Sequence, residues 1–243
     1  MDERAYKVSS TAYSTIWDSY WRDLPAGQGE ALWDGDPASS VPYELVSGHL
    51  HPELPLIDVG CGNGTHAGAL ADRFPTILGV DISVAALDRA RTGVDDRVQF
   101  RRLDVLDPAD AASIHLLTGD SNVYARGLLH LFTPNERATA VASFAVLNGA
   151  AGRLFSYEPA PAAGRLLAEL LAQPDGPPPK VARILRYGIQ PADLGEHETE
   201  DLLLDAGYRI VASGSHLWRS TETSAEGAAV DIPMRYVVAR RTE

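Results

Sequence analysis

The stretch LPLIDVGCGNGTHAGALA, Leu54–Ala71, constrains this chain more than any other. An apolar run passes straight into Gly60, Gly62 and Gly64 at alternate positions, and a helical alternation follows. The run reads as a buried strand. Glycine lacks a Cβ and tolerates positive φ, so a strand-to-helix turn of this kind lets a ligand come close to main chain. The helix beyond adds free N–H groups and the positive end of its dipole. A tight turn needs one glycine. Three alternating ones predict a seat for the polar end of a ligand.

The chain beyond repeats the rhythm. β-like runs PLIDV (55–59), TILGV (76–80), RVQFR (97–101), SNVYA (121–125) and GRLFSYE (152–158) alternate with helical stretches near 65–73, 83–91, 109–116 and 134–147. Ser83 and Pro134 stand where an N-cap and a first helical turn belong. This alternation predicts βαβ units and a parallel sheet. The chain has 243 residues, 45% of them apolar, which suits a single α/β domain over 1–243.

After Pro159 the pattern changes. A helix (161–172), the loop QPDGPPPK (173–180), another helix and a last helix near 198–206 follow, with Gly207 as the C-cap. YRIVAS (208–213) and MRYVVAR (234–240) are joined by a polar segment instead of a crossover helix, which predicts an antiparallel pair at the sheet edge. Before the core, Tyr13, Trp17, Tyr20, Trp21 and Leu24 fall at helical spacing, and seven of the 18 aromatics precede residue 44. Residues 1–50 therefore read as a helical cap laid over the domain.

Charge and cysteine content narrow the function. The net charge is −12, which repels phosphate backbones and anionic membranes, so neither a nucleic acid nor a membrane is the expected partner. No run approaches a membrane span, and MDERAYKVSS has no hydrophobic signal region. Cys61 is the lone cysteine, which rules out an internal disulfide and a cysteine-built zinc site and fits a reducing cytoplasm. No metal is expected from the sequence, although scattered acids and histidines leave a metal-assisted mechanism open.

Two further acids continue the ligand argument. LGVDIS places Asp81 at the end of the second strand, 21 residues after Gly60, where a carboxylate can accept both hydroxyls of a ribose. RRLDVLD places Asp104 after the third strand, where an adenine amino group could be held, with Val105 beside it. LIDVGCGNGTHAGALA, GVDIS, LDV and NVYARGLLHLF in this order resemble the class I S-adenosylmethionine-dependent methyltransferases over roughly residues 54–158. The resemblance implies a Rossmann-like, doubly wound seven-stranded sheet with its last strand antiparallel, and S-adenosylmethionine as cofactor. It implies that Gly60, Gly62 and the backbone near Cys61 and Asn63 line the methionine part, with Asp58 near its ammonium. It also implies that Asp81 holds the ribose, Ile82 packs on the adenine, and Asp104 and Val105 address the adenine edge. Residues 54–158 then form the cofactor-binding core, and 159–243 carry an acceptor-pocket insertion and the edge strands.

The acceptor end is read from fewer signals. His130, after the fourth strand, is the candidate general base or acceptor-orienting group; packing against the next helix is its structural alternative. Arg126 is a candidate for the cofactor site, for a substrate carboxylate, or for pairing with Glu158 at the end of the fifth strand. His66 offers a cofactor contact or a solvated first-turn position. Trp17, Tyr20, Trp21 and Trp33 would shape an apolar acceptor pocket with Glu158 and exclude water. The absence of an NPPY-like sequence argues against base amines and glutamine amides as acceptors. The expectation is methyl transfer to a small organic acceptor, at oxygen first and nitrogen next, with a homodimer compatible with the aromatic N-terminus. The rivals are a nicotinamide-dependent reductase and a non-catalytic binding protein. Gly-x-Gly-x-Gly spacing and the lack of any Tyr-x-x-x-Lys pair oppose the reductase; Lys7 and Lys180 are the only lysines.

Overall fold

A computed structural model describes residues 10–27, 29–34, 43–191, 193–223 and 227–242. Parts of the expected cap, residues 1–9 and 35–42, lie outside the described residues. One seven-stranded sheet organises the rest, in the order β3-β2-β1-β4-β5-β7-β6. The strands are β1 (Leu56–Val59), β2 (Ile77–Asp81), β3 (Val98–Arg102), β4 (Asn122–Arg126), β5 (Arg153–Pro159), β6 (Tyr208–Thr223) and β7 (Ala229–Arg241). β1 to β5 are parallel, and β7 runs antiparallel to both β5 and β6.

Helices cover both faces, which is why β1 and β4 are buried along nearly their whole length. On one face Ile57, Val80, Val123 and Leu154 pack with Phe144 of α6 (Pro134–Asn148) and Leu203 of α9 (Glu198–Asp205). On the other, Leu56, Ile77, Tyr124 and Phe155 pack with Val46 of α2 (Tyr43–His49) and Leu70 of α3 (Thr65–Leu70). The boundary signals act as their chemistry dictates. Ser83 accepts from the Ala86 N–H at the start of α4 (Val84–Gly93). Asp107 caps α5 (Pro108–Thr118), and Thr133 with Glu136 forms a capping box ahead of Pro134.

The closing hairpin is longer than the sequence reading gave it. β6 extends ten residues beyond Ser213 and β7 begins five before Met234, so residues 214–223 and 229–233 of the polar joining segment are themselves strand. SHLWRSTET alternates without a continuous apolar face, which hid its strand character. The Arg219–Asp231 ion pair at 3.0 Å and the burial of Trp218 and Ser220 hold it in register. This extension, with α7 (Pro161–Leu171) and α8 (Pro179–Arg186), walls the site described next.

Candidate functional site

A cavity of about 300 Å³ opens at the carboxyl ends of β1, β2 and β4, at the point where the strand order reverses. The glycine turn forms its floor. Gly60, Gly62 and Gly64 all have positive φ, of 75°, 55° and 76°. Their roles differ. A Cβ on Gly62 would stand 2.7 Å from the Trp21 ring, whereas one on Gly64 would meet Phe100 at 2.7 Å and Ala90 at 3.1 Å. Gly60 and Gly62 line the cavity together with Cys61 and Asn63; Gly64 serves close packing of α3 on the sheet.

The acids surround that turn. Asp81 joins it to the next unit: its Oδ2 accepts from the Gly62 N–H and its Oδ1 from the Ser83 N–H, both at 2.9 Å. Asp81, Ile82, Asp104 and Val105 all line the cavity. Asp104 Oδ1 accepts from the Leu106 N–H at 3.0 Å, and its own N–H donates to Asp110 at 3.2 Å. Asp58 lies behind the turn, buried and off the cavity wall, with Oδ2 unpartnered. Burial pushes its carboxyl from the ordinary 3.8 to about 7; Arg126 opposes the shift and Asp81 adds to it. Burial likewise moves Asp81 to about 6. The Cys61 thiol is pushed up by burial and by Asp81 and Asp58, so it stays protonated and packs as a small apolar group.

The helical cap covers the cavity. α1 (Ser10–Asp23) contributes Tyr13, Trp17 and Trp21 to its wall, and the following turn contributes Trp33. Tyr20 does not reach the cavity. It is fully buried among Trp17, Trp21, Trp33 and Tyr187, with ring centroids 5.2–5.7 Å away. Two polar contacts dock this helix, one from Asp18, which the aromatic stripe did not reveal, and one from Tyr13 of the stripe. Asp18 accepts from Ser83 Oγ at 2.7 Å and from the Ala85 N–H at 3.0 Å, a second cap on α4 supplied from outside it. Tyr13 donates to the Leu131 carbonyl at 3.3 Å.

At the end of β4, a short 3₁₀ turn, Leu129–Leu131, carries His130 into the cavity wall. Glu158 of β5 holds that turn. Its Oε1 accepts from the N–H groups of Leu128 and Leu129 at 3.0 and 2.9 Å, and its Oε2 from the N–H of His130 at 3.3 Å. Oε2 also lies 2.9 Å from His130 Nδ1. A carboxylate can only accept here, so Nδ1 carries a proton, and in the neutral ring the lone pair is on Nε2. Buried Arg137 steadies the turn from below, donating through Nε to the Leu129 carbonyl at 3.1 Å. Glu158 therefore lies behind His130 and off the cavity wall.

Arg126 does not pair with Glu158, as that carboxylate is committed to the turn. Its Nη2 donates to the Trp33 carbonyl at 2.8 Å, and its guanidinium lies over the Trp218 ring. His66 is buried, not solvated. Its Nδ1 meets the Tyr43 hydroxyl at 3.1 Å and its Nε2 the Trp33 carbonyl at 3.3 Å, and burial, then Arg126, keeps the ring neutral. An aliphatic cluster, Leu166, Leu170, Val181, Leu185, Val230 and Ile232, also walls the cavity. No group of three metal-ligating side chains occurs among the described residues, and none of the described helices is long and apolar enough to cross a membrane.

A family model described as a methyltransferase domain matches residues 56–148, from β1 to the end of α6. No curated protein matches by sequence. Among solved structures, a SAM-dependent methyltransferase from Anabaena variabilis is 27% identical, covering 96% of this chain and 95% of its own, with a TM-score of 0.85. A structure described by the conversion of a disulfide bond into a thioacetal group during echinomycin biosynthesis is 19% identical, with coverages of 94% and 92% and a TM-score of 0.65. Magnesium protoporphyrin IX methyltransferase from Synechocystis is 17% identical, with coverages of 96% and 100% and a TM-score of 0.59. A methyltransferase domain thus occupies residues 56–148, on a fold shared with S-adenosylmethionine-dependent methyltransferases, and S-adenosylmethionine is its cofactor.

Proposed function

We propose that the protein methylates a small, largely apolar organic acceptor, at oxygen first and nitrogen next. The observation that carries this reading is the His130–Glu158 pair in a cavity that runs from the glycine turn into an aliphatic chamber. The cofactor supplies an electrophilic methyl group on a sulfonium. The protein holds the reactants in line and removes a proton. His130 Nε2 accepts the acceptor's proton, and Glu158 fixes the tautomer that makes this possible. Trp17, Trp21 and Trp33 keep water from the reacting atoms. The buried lone cysteine suits a cytoplasmic enzyme, and the charge of −12 favours a small acceptor over a nucleic acid.

The residues present fit the cofactor. Asp58 offers an unpartnered buried carboxylate oxygen behind the glycines, suited to the attraction of an ammonium, and Asp81 faces the cavity where a ribose would sit. A pH dependence follows. Both carboxyls keep their protons in the folded protein at pH values where the unfolded chain has released them. Each therefore lowers stability as pH rises from about 4 to its folded value, by on the order of 1.4 kcal/mol per pH unit. A cationic ligand favours the ionised form of Asp58. Scanning fluorimetry is expected to show a larger rise in melting temperature with S-adenosylmethionine near pH 8 than near pH 5. Equal rises would remove the charged contact.

The reading as a whole is tested by incubating the protein with S-adenosylmethionine labelled with tritium in the methyl group and a panel of apolar alcohols, phenols and amines. Label in an ether product is the expected result. Label only in amines would reassign the accepting atom. Cofactor binding with no transfer to any member would favour a non-catalytic protein.

A further inference from the structure

Glu222 is the one acid of the β6–β7 ribbon that lines the cavity. The ribbon breaks register between Arg219 and Thr223, and an irregularity of this kind re-aims the side chains it carries. Glu222 is 4% exposed and stands against the aliphatic cluster. Its Oε2 accepts from the Lys180 N–H at 2.8 Å, next to Val181 of that cluster. Ser220 Oγ accepts from the Glu222 N–H at 3.1 Å and donates to the carbonyl of Val230, another member, at 2.8 Å. Glu222 Oε1 accepts from the Thr223 N–H at 3.1 Å. Each oxygen therefore holds one backbone N–H, whereas a carboxylate offers about four acceptor positions. Among the described residues Glu222 forms no ion pair. Lys180 is near enough to feel its charge, but the ammonium is engaged by the carbonyls of Gly29 and Thr221 at 2.5 and 2.8 Å. The rest of the lining has the same sign. It includes Asp34, Asp81, Asp104 and Asp193 against one guanidinium, that of Arg126, and burial keeps the His66 ring neutral. A carboxylate held in an apolar wall is costly unless a cation or a donor meets it. A cavity lined mainly by acids also disfavours anions.

The geometry points to Glu222 as a specificity-determining residue that takes the protonated amine of an apolar acceptor. The assignment rests on the methyltransferase reading for what happens to that acceptor. An ammonium has no lone pair, so the nitrogen held by Glu222 is not the atom methylated. The reacting atom belongs beside His130, and the acceptor class is an apolar amine that carries a second, nucleophilic group.

Calorimetric titration at neutral pH, on protein saturated with S-adenosylhomocysteine, compares octylamine, octanol and octyltrimethylammonium. The expected result is that octylamine binds about tenfold or more tighter than octanol, and that Glu222→Gln brings the two within about twofold. Glutamine keeps an oxygen for the Lys180 N–H and removes the charge. A residue that only caps α8 would lower the melting temperature of this variant and leave the preference intact; that outcome overturns the proposal and assigns the amine to the other acids. Octyltrimethylammonium keeps the charge without an N–H and is expected to bind more weakly than octylamine. Equal binding of the two cations by the unmodified protein means diffuse attraction and overturns the proposal, as does a preference for octylamine over octanol below about twofold, whether or not the variant folds. These are binding measurements. Absence of methyl transfer from the labelled cofactor would remove the enzymatic reading and leave the amine preference standing.

Discussion

Replacement of His130 by alanine is expected to lower turnover by about 10²- to 10⁴-fold while cofactor affinity stays near that of the unmodified protein. The argument lies in what surrounds the ring. Glu158 satisfies the N–H groups of Leu128, Leu129 and His130 and also engages Nδ1, so one buried carboxylate fixes both the 3₁₀ turn and the imidazole tautomer. Nε2 is left to accept a proton at the cavity wall. A histidine that merely packed against α6 would need no such orientation. Glu158→Gln should move turnover in the same direction, because an amide offers one acceptor oxygen where the carboxylate offers two. It should also cost about 1–3 kcal/mol of stability, as buried donors lose their partner. Single-turnover kinetics with labelled cofactor, with calorimetry for affinity, reads both effects. A rate in the His130→Ala protein within a few-fold of the original, at any acceptor, would return His130 to a packing role.

The sequence made the cofactor half of this site visible and left the acceptor half largely hidden, and the division is physical. Strand β1, the three glycines, Ser83 and Pro134 carry their signals within a few residues, because burial, positive φ and capping are local demands. The cradle of His130 is not local. Glu158 reaches it across 28 residues, and Arg137 acts through a backbone carbonyl that any residue could provide. His66 looks like a first-turn surface residue until Tyr43 and Trp33 arrive from another part of the chain to bury it. Tyr20 shares the spacing of Trp17 and Trp21, but its neighbours fill the space around it and it turns from the cavity. Asp18 reads as an ordinary polar helix position, yet it caps a helix more than 60 residues away. The outer half of the β6–β7 ribbon was missed because its alternation is between polar residues and one buried tryptophan. In each case the missing information was a partner.

Valine at Gly62 is expected to weaken S-adenosylmethionine binding by about 100-fold or more, whereas alanine at Gly64 should lower the melting temperature and leave the affinity of the folded protein nearly unchanged. Both positions have positive φ, so each substitution carries roughly 1–2 kcal/mol of backbone strain. The neighbours separate them. At Gly62 the new Cβ would stand 2.7 Å from Trp21, and the branches of valine would go further. Trp21 is 3% exposed and packed against Tyr20 and Trp33, so it cannot yield without shifting α1. The same change disturbs the N–H that Asp81 holds. Backbone strain, the covering helix and the Asp81 carboxylate are therefore coupled at one residue. Gly64 faces Phe100 and Ala90 beneath the turn and does not line the cavity, so its cost appears in packing. Calorimetry and thermal melts on the two variants separate the effects. The double variant Gly62→Val with Trp21→Ala apportions the first: recovery of most of the affinity would assign the loss to the lid, and no recovery would assign it to the backbone of the turn. Near-normal binding in Gly62→Val alone would mean that the cofactor does not sit on this loop.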